Sequence, residues 1–222
     1  MPVVPSATTG DAILYYAHDP MCSWCFGFAP VWTRLQDELP AGVTVKRLLG
    51  GLAPDTDLPM PEAMREQLQA TWRRIETRVP GTRFNFDFWT KCQPRRSTYP
   101  ACRAVIAARA QGEQYDAAMT RVIQQAYYQQ ARNPSDEATL VALAEELGLD
   151  ADRFRATLRD PATQRQLLAE IEETDALGAS GYPSLILVTA AGRWLVPLDY
   201  GDAAPMRATI ETLLAERTAT WN

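Results

Sequence analysis

The amino-acid sequence predicts an α/β fold in which a small strand-and-helix domain is split by a large all-helical insertion. Three observations support this. A strand–helix–strand pattern occupies residues 13–49, helical periodicity without a convincing strand runs through residues 61–177, and two further strands with a closing helix follow from residue 184. We therefore expect residues 1–52 and 179–222 to form one domain and residues 53–178 to form the helical insertion.

The first segment has the pattern of a βαβ unit. The apolar runs Ile13–Ala17 and Val43–Leu49 each suit a short buried strand. Between them, apolar side chains recur at helical spacing from Phe28 to Leu39, and Pro30 should kink this helix or weaken its first turn. Strands joined by a helical crossover are parallel, so we expect a parallel pair.

Apolar stripes at helical spacing fill the predicted insertion. The clearest stripes lie in residues 64–79, 115–126 and 140–147. Gly148 follows the third stripe as a C-terminal cap, and Asp160 stands before a proline as the N-cap of a later helix. These helix caps indicate several separate helices.

The tail of the chain returns to strands. Ser184–Val188 is a continuous apolar run, a turn follows at 190–192, and Arg193–Val196 suits a second strand, which together predict a hairpin. Asp202 can cap a final helix that carries apolar residues up to Leu214.

Composition excludes several classes of function. The chain has 222 residues and a net charge of −5, without the clustered Lys and Arg that binding to nucleic-acid phosphates needs. Its beginning lacks a basic start with an apolar run, and no stretch approaches the ~18 apolar residues of a membrane span. We expect a soluble, cytoplasmic protein that contacts neither nucleic acid nor membrane, with an oligomeric state that the sequence leaves open.

The pair Cys22 and Cys25 lies between the first strand and the first helix. A close cysteine pair in a reducing compartment is more often catalytic or metal-binding than structural. A helix N-terminus favours the anionic sulfur that attacks disulfides. We expect Cys22 to form the mixed disulfide and Cys25, about one helical turn later, to resolve it, with no cofactor required.

The alternative for this pair is half of a zinc site. Zinc takes about four ligands. The chain has a single histidine, and Cys92 and Cys102 do not repeat the spacing of the first pair. The sequence therefore favours redox chemistry and no bound metal.

A second informative segment is Gly181-Tyr182-Pro183, directly before a predicted strand. Proline costs no ladder hydrogen bond at that position, and its peptide bond can be cis at modest cost. From this segment alone, an ordinary trans turn is the better interpretation.

A resemblance to a known family rests on two segments of this chain. They are Asp19-Pro20-Met21-Cys22-Ser23-Trp24-Cys25-Phe26-Gly27 and Gly181-Tyr182-Pro183. These segments resemble the active-site segment and the cis-proline loop of DsbA-family thioredoxin-like proteins, the FrnE-like branch in particular. A thioredoxin core split by a helical insertion is similar too.

The resemblance implies a thioredoxin-like fold and a thiol–disulfide oxidoreductase or isomerase. It implies that Cys22 is the nucleophile, that Cys25 is the resolving thiol, and that Pro183 is cis and packed against them. It also implies that the backbone of Tyr182 pairs with an extended substrate peptide. The family often has a small or β-branched residue before the proline, and Tyr182 departs from that pattern.

Other residues near the pair allow two interpretations each. Ser23 and Trp24, between the cysteines, are candidates for substrate contact. His18 is a further candidate for substrate contact and could stabilise the thiolate as a cation, or it could be a polar residue at a strand end. Trp24 and Phe26 could form an apolar rim that binds peptides, or could pack on the insertion.

The remaining cysteines and an aromatic run are equally open. Cys102 suits a small core residue, and Cys92 lies in a loop; a second redox pair is the alternative. The alternating aromatic run of residues 84–89 could line a substrate groove or form the core of the insertion.

Three functions compete on the sequence alone. The first is disulfide exchange on protein or peptide thiols, with glutathione as a further candidate partner. The second is a glutathione-dependent isomerase or transferase, because the kappa-class transferases and chromene-carboxylate isomerases have a similar split fold. Arg96 and Ser97 would then line the substrate pocket. Those relatives generally use a single Ser where this chain has two cysteines, which counts against this function. The third is a non-catalytic binder. The direction of redox chemistry does not follow from the sequence.

Overall fold

A four-stranded mixed sheet is the centre of the strand-bearing part of the chain. The computed structural model describes residues 12–219, with side chains to residue 215. The strands are β1 Ala12–His18, β2 Val43–Leu49, β3 Ser184–Thr189 and β4 Gly192–Val196, in the order β2-β1-β3-β4. β1 and β2 are parallel, and β3 pairs antiparallel with β1 and β4. The predicted parallel pair and the predicted hairpin are both confirmed.

Two helices cover one face of this sheet. They are α1 Ser23–Asp37 and α9 Ala204–Ala219. Successive side chains of a strand point to opposite faces, so Leu14 and Tyr16 pack with these helices, whereas Tyr15 and Ala17 meet residues of the other face. α1 continues through Pro30 to Asp37.

Seven helices lie between β2 and β3 along the described chain, which confirms the helical insertion. They are α2 Glu62–Arg78, α3 Phe88–Lys91, α4 Tyr99–Arg109, α5 Tyr115–Tyr128, α6 Glu137–Glu146, α7 Ala151–Arg159 and α8 Pro161–Ala176. Gly148 follows α6 with φ +74°, and the Asp160 carboxylate accepts from the Ala162 backbone N–H (2.7 Å) at the start of α8. No helix within residues 12–219 has the length and apolar character that crossing a bilayer requires.

Aromatic packing around Trp72 forms the core of the insertion. The Trp72 ring stacks on Phe84 (centroids 4.9 Å apart) and lies 4.9 Å from Trp89 and 5.4 Å from Tyr128. Phe88 is buried in the same cluster. The aromatic run of residues 84–89 is therefore core, which is the second of its two interpretations.

The insertion core reaches the loop before α1. Met21, from this loop, and Leu49, at the end of β2, are buried in the same apolar cluster as Trp72. The cysteine-bearing loop therefore packs against the helices as well as the sheet. The exact division into residues 1–52 with 179–222 and residues 53–178 stays a prediction.

A half-buried charge network ties the edge strand β2 to the insertion. The Asp116 carboxylate pairs with Arg47 of β2 (2.5 Å) and with Arg109 of α4 (3.1 Å). Arg109 also pairs with Glu170 of α8, whose other oxygen accepts from the Leu49 backbone N–H (3.0 Å). These contacts fix the end of β2 that lies next to the cysteine loop.

We expect Asp116→Asn to lower the free energy of unfolding by about 3–5 kcal/mol, because the poorly solvated Arg47 loses its carboxylate and Arg109 keeps only Glu170. Urea denaturation monitored by circular dichroism measures the change. The matched control is Asp152→Asn, whose carboxylate is 96% exposed beside Arg155 and should cost less than about 1 kcal/mol. Equal losses in the two variants would contradict a structural role for the network.

Candidate active site

The two cysteines lie at the head of α1 as the sequence predicted. Cys22 is the N-cap residue with extended backbone angles, and its Sγ accepts from the Cys25 backbone N–H (3.4 Å). Both thiols are free. The first amides of a helix lack partners and carry the positive end of its dipole, so this position favours a negative charge on the Cys22 sulfur.

Burial distinguishes the two sulfurs. Cys22 keeps 6% of its surface exposed and Cys25 keeps none. The pKa of the Cys25 thiol is raised well above its usual value, chiefly by burial and secondly by the neighbouring Cys22. One sulfur is therefore placed for attack, and the other stays protonated behind it at neutral pH.

The loop before β3 lies directly against Cys22. The Tyr182–Pro183 peptide bond is cis. The Cys22 thiol donates to the Tyr182 backbone carbonyl (3.3 Å), although 160 positions separate the two residues. The structure therefore brings Cys22, Tyr182 and Pro183 together.

The Tyr182 side chain is fastened to the end of β2. Its hydroxyl donates to the Gly50 carbonyl (2.8 Å). A Cβ at position 50 would lie 2.0 Å from the Tyr182 ring, so only glycine fits beneath it. The bulky residue before the proline is thus accommodated by the absence of a side chain at Gly50.

A buried carboxylate that the sequence analysis missed holds the cysteine loop. The Asp19 side chain accepts from the backbone N–H groups of Met21 (2.7 Å) and Leu52 (2.8 Å), the Thr98 hydroxyl (2.7 Å) and the Cys102 thiol (3.5 Å). Burial raises the pKa of Asp19, while these donors oppose the increase. The available signal was an acidic residue three positions before the cysteine pair in a largely apolar segment.

His18 is the last residue of β1 and lies in the core, which agrees with the second of its two interpretations. It is 1% exposed, its ring stacks on Tyr16 (4.9 Å), and neither ring nitrogen has a hydrogen-bond partner within residues 12–219. Burial, then the positive charges of Arg47 and Arg109, lower its pKa well below 6.5. The imidazole is enclosed, and its lowered pKa opposes the cationic form, so the structure favours the interpretation of His18 as a polar residue at a strand end.

The aromatic residues beside the cysteines divide between the two interpretations. Phe26 stacks on Tyr128 (4.8 Å), so it packs on the insertion. Trp24 is half-buried and meets Tyr200 edge to face (5.3 Å). Ser23 is half-exposed at the first position of α1. Ser23 and Trp24 therefore retain surface next to the cysteines.

Cys92 and Cys102 each donate a hydrogen bond, and their acceptors lie in different parts of the fold. Cys102 is buried in α4 and donates to Asp19, whereas Cys92 donates to the Ala131 carbonyl (3.1 Å). Both are free thiols, and the described residues contain no cluster of three His, Cys, Asp or Glu side chains that could hold a metal ion. Cys102 is thus the core residue that the sequence suggested.

The segment considered for a glutathione pocket is mostly enclosed. Ser97 is buried, and its carbonyl accepts from the Ser135 hydroxyl (2.8 Å). Arg96 is half-buried, and its positive charge lowers the pKa of the buried Tyr127, although burial raises that pKa more. Ser97 is therefore enclosed, whereas Arg96 keeps part of its surface exposed.

Comparison with known proteins identifies the class of this fold and site. The family model described as a DSBA-like thioredoxin domain matches residues 15–199. The chain therefore belongs to the DSBA-like thioredoxin family, with the thioredoxin-like fold and helical insertion that the sequence predicted. The site presents the pair of free thiols that thiol–disulfide exchange requires.

Particular relatives narrow the comparison. The cytosolic disulfide reductase DsbM of Pseudomonas aeruginosa is 28% identical, with a TM-score of 0.73 over 91% of this chain and 98% of that chain. A Nitrosomonas europaea structure, provisionally assigned as a protein disulfide isomerase, is 29% identical, with a TM-score of 0.80 over 93% of this chain and 98% of that chain. The ClpXP adapter protein SpxH of Halalkalibacterium halodurans is 25% identical over 177 residues, which cover 78% of this chain and 57% of that protein. The chain thus spans little more than half the length of this curated relative.

We expect stability to fall as pH drops from 6.5 to 5.5, because unfolded His18 takes up a proton near its ordinary pKa and the folded residue does not. The loss is at most about 1.4 kcal/mol per pH unit. His18 is the only histidine of the chain, so urea unfolding of wild type and His18→Phe at pH 7.5, 6.5 and 5.5 isolates it. Buried carboxylates contribute equally to both proteins, and identical pH slopes would refute the assignment.

We expect iodoacetamide to modify native Cys22 at least about tenfold faster than Cys25 at pH 8, because Cys25 is buried and its pKa is raised. Peptide mass spectrometry after timed quenching gives both rates. Unfolding in guanidinium chloride is the control and should equalise them. Native Cys25 reacting as fast as Cys22 would contradict the asymmetry between the sulfurs.

Proposed function

We propose that this protein exchanges disulfides on protein or peptide substrates, with Cys22 as nucleophile and Cys25 as resolving thiol. The observation that carries this proposal is the position of the Cys22 sulfur. It lies at the head of α1, within 3.4 Å of the Cys25 N–H and 3.3 Å of the Tyr182 carbonyl. Family membership supports the reaction class, and the geometry supports the assignment of roles.

In the first step, the Cys22 thiolate attacks one sulfur of a substrate disulfide. A bond forms between Cys22 and that sulfur, the substrate S–S bond breaks, and the departing thiolate takes a proton from water. An ionised Cys22 no longer donates to the Tyr182 carbonyl. That carbonyl can then accept from a backbone N–H of an extended substrate, next to the Pro183 turn.

In the second step, Cys25 loses its proton and attacks the Cys22 sulfur. The Cys22–Cys25 disulfide forms, and the second substrate thiol leaves, so two electrons pass from the protein to the substrate. The raised pKa of Cys25 makes the loss of its proton the demanding part of this step. When a substrate thiol resolves the mixed disulfide instead, the result is isomerisation.

Similarity to DsbM supports a reductive direction and a cytoplasmic location as parts of this proposal. That Pseudomonas aeruginosa protein is described as a cytosolic disulfide reductase, and one of its structures contains GSH. We propose glutathione as the thiol that returns the Cys22–Cys25 disulfide to the dithiol. Assignment to the FrnE-like branch stays a prediction.

A second candidate function is client binding without redox turnover. The curated relatives carry the name ClpXP adapter protein SpxH, and their alignments cover 56–57% of their length. The half-buried Trp24 beside Tyr200 offers a surface for such contact. A glutathione-dependent isomerase or transferase remains the third alternative, with the cysteine pair weighing against it.

We expect the protein to speed the reduction of insulin by glutathione, followed as turbidity, and Cys22→Ser to reduce the rate to that of glutathione alone. Cys25→Ser should accumulate a mixed disulfide with insulin because its resolving thiol is missing. Cys92→Ser is the matched control and should keep wild-type turnover. Wild-type protein that adds nothing to the glutathione rate would refute the proposal.

The same variants separate the alternatives. If Cys22→Ser/Cys25→Ser binds a cysteine-free unfolded client as tightly as wild type, while wild type shows no turnover, client binding is the function. If glutathione conjugation or isomerisation of a small molecule proceeds in Cys25→Ser at the wild-type rate, the transferase alternative is favoured instead.

A further inference from the structure

A cavity of about 550 Å³ lies beside α1, next to the cysteine pair. Its walls are the flank of α1 from Phe26 to Arg34, the loop of residues 79–83, one side of α5, and the segment that follows β4. Phe26 directly follows Cys25 in the chain, yet neither cysteine of the pair lines the cavity. It is therefore a separate space that shares a helix with the reactive sulfurs.

Its charge is unlike that of the chain as a whole. The chain has 27 acidic and 22 basic residues, but the lining contains Arg34, Arg83 and Arg121 and no Asp or Glu. None of these arginines forms an ion pair with any residue the structure describes. Arg34 and Arg83 each donate to one backbone carbonyl, which leaves further guanidinium N–H groups available.

A buried amide lines the same cavity. Gln124 of α5 is only 5% exposed, and its side chain makes no hydrogen bond to any of the described residues. Buried polar side chains ordinarily have a partner. Its amide atoms are not among the fully buried, unpartnered side-chain atoms of the described chain, so the amide meets the open space of the cavity and is available to a polar ligand.

Carboxylates close by in the chain do not neutralise this charge. Asp199 accepts from the backbone N–H groups of Gly201 (2.7 Å) and Asp202 (2.9 Å), and Asp202 accepts from Ala204 (3.1 Å). Neither carboxylate lines the cavity. Both carboxylates are held within their own loop, so Arg34, Arg83 and Arg121, whose side chains are all solvent-exposed, line the cavity without an internal counter-ion.

We propose that this cavity binds a small molecule that carries at least two oxyanion groups, phosphate or carboxylate, on an apolar body. Planar guanidinium groups match both oxyanions in bidentate geometry. Apolar side chains such as Val79 and Tyr200 complete the walls, and the volume falls in the range of small-molecule pockets. The site goes beyond the proposed disulfide exchange and does not depend on it.

The site adjoins the redox centre through one aromatic contact. Tyr200 lines the cavity and also packs against Trp24, which lies between the two cysteines (5.3 Å between ring centroids). A ligand in the cavity would therefore contact Tyr200, and the Tyr200 ring packs on Trp24 beside Cys22. Its binding can nevertheless be measured without any thiol chemistry.

Isothermal titration calorimetry at constant ionic strength tests the proposal with two probes, ADP for phosphate and benzene-1,3,5-tricarboxylate for carboxylate. We expect at least one probe to bind with a stoichiometry of one. Arg34→Gln and Arg121→Gln should each weaken binding at least about tenfold, and Gln124→Met should weaken it less. The tighter probe identifies the oxyanion.

Two controls make the outcome decisive. Arg165→Gln removes an exposed arginine outside the cavity and should bind as wild type, and the Cys22→Ser/Cys25→Ser variant should do so too. Thermal unfolding checks that each variant is folded. The proposal is overturned if neither probe saturates, if Arg165→Gln loses as much affinity as Arg121→Gln, or if only a ten-residue glutamate peptide binds.

Discussion

A single buried carboxylate fixes the geometry on which the candidate site depends. Asp19 accepts from its own loop, from the segment after β2 and from the start of α4. A carboxylate excluded from water is tolerated only when donors satisfy its oxygens, so these segments are held together around it. The position of the Cys22 sulfur is thereby set by residues 30 to 80 positions further along the chain.

Backbone dipoles, more than charged side chains, define the electrostatics at the cysteines. Cys22 accepts from a helical amide and contacts a backbone carbonyl, and no charged side chain of the described chain hydrogen-bonds to it. His18, which could have supplied a cation, is neutral because it lies in the core near two arginines. Cys25 differs from Cys22 chiefly in its burial. A difference of one helical turn thus separates an accessible sulfur from a protected one.

Local patterns predicted the elements and the cysteine pair, and long-range contacts explain what they missed. The apolar runs gave β1 and β3 closely, because a strand buried on both faces is recognisable from its own residues. The sequence also predicted the place of Cys22, because the end of β1 and the start of α1 are both visible in the local pattern. The fourfold coordination of Asp19, the enclosure of His18 and the attachment of Tyr182 to Gly50 join residues far apart in the chain. Alternation in the aromatic run of residues 84–89 was uninformative, because those rings pack around Trp72, which belongs to another helix.

The Tyr182 ring fills the space that a side chain at position 50 would need, so the size of one residue limits the size of the other. A methyl group at position 50 and an aromatic ring at position 182 cannot coexist without movement of the loop that presents the Cys22 partner carbonyl. Redesign of this loop must therefore treat Gly50 and Tyr182 as one unit, with the first substitution made at Tyr182.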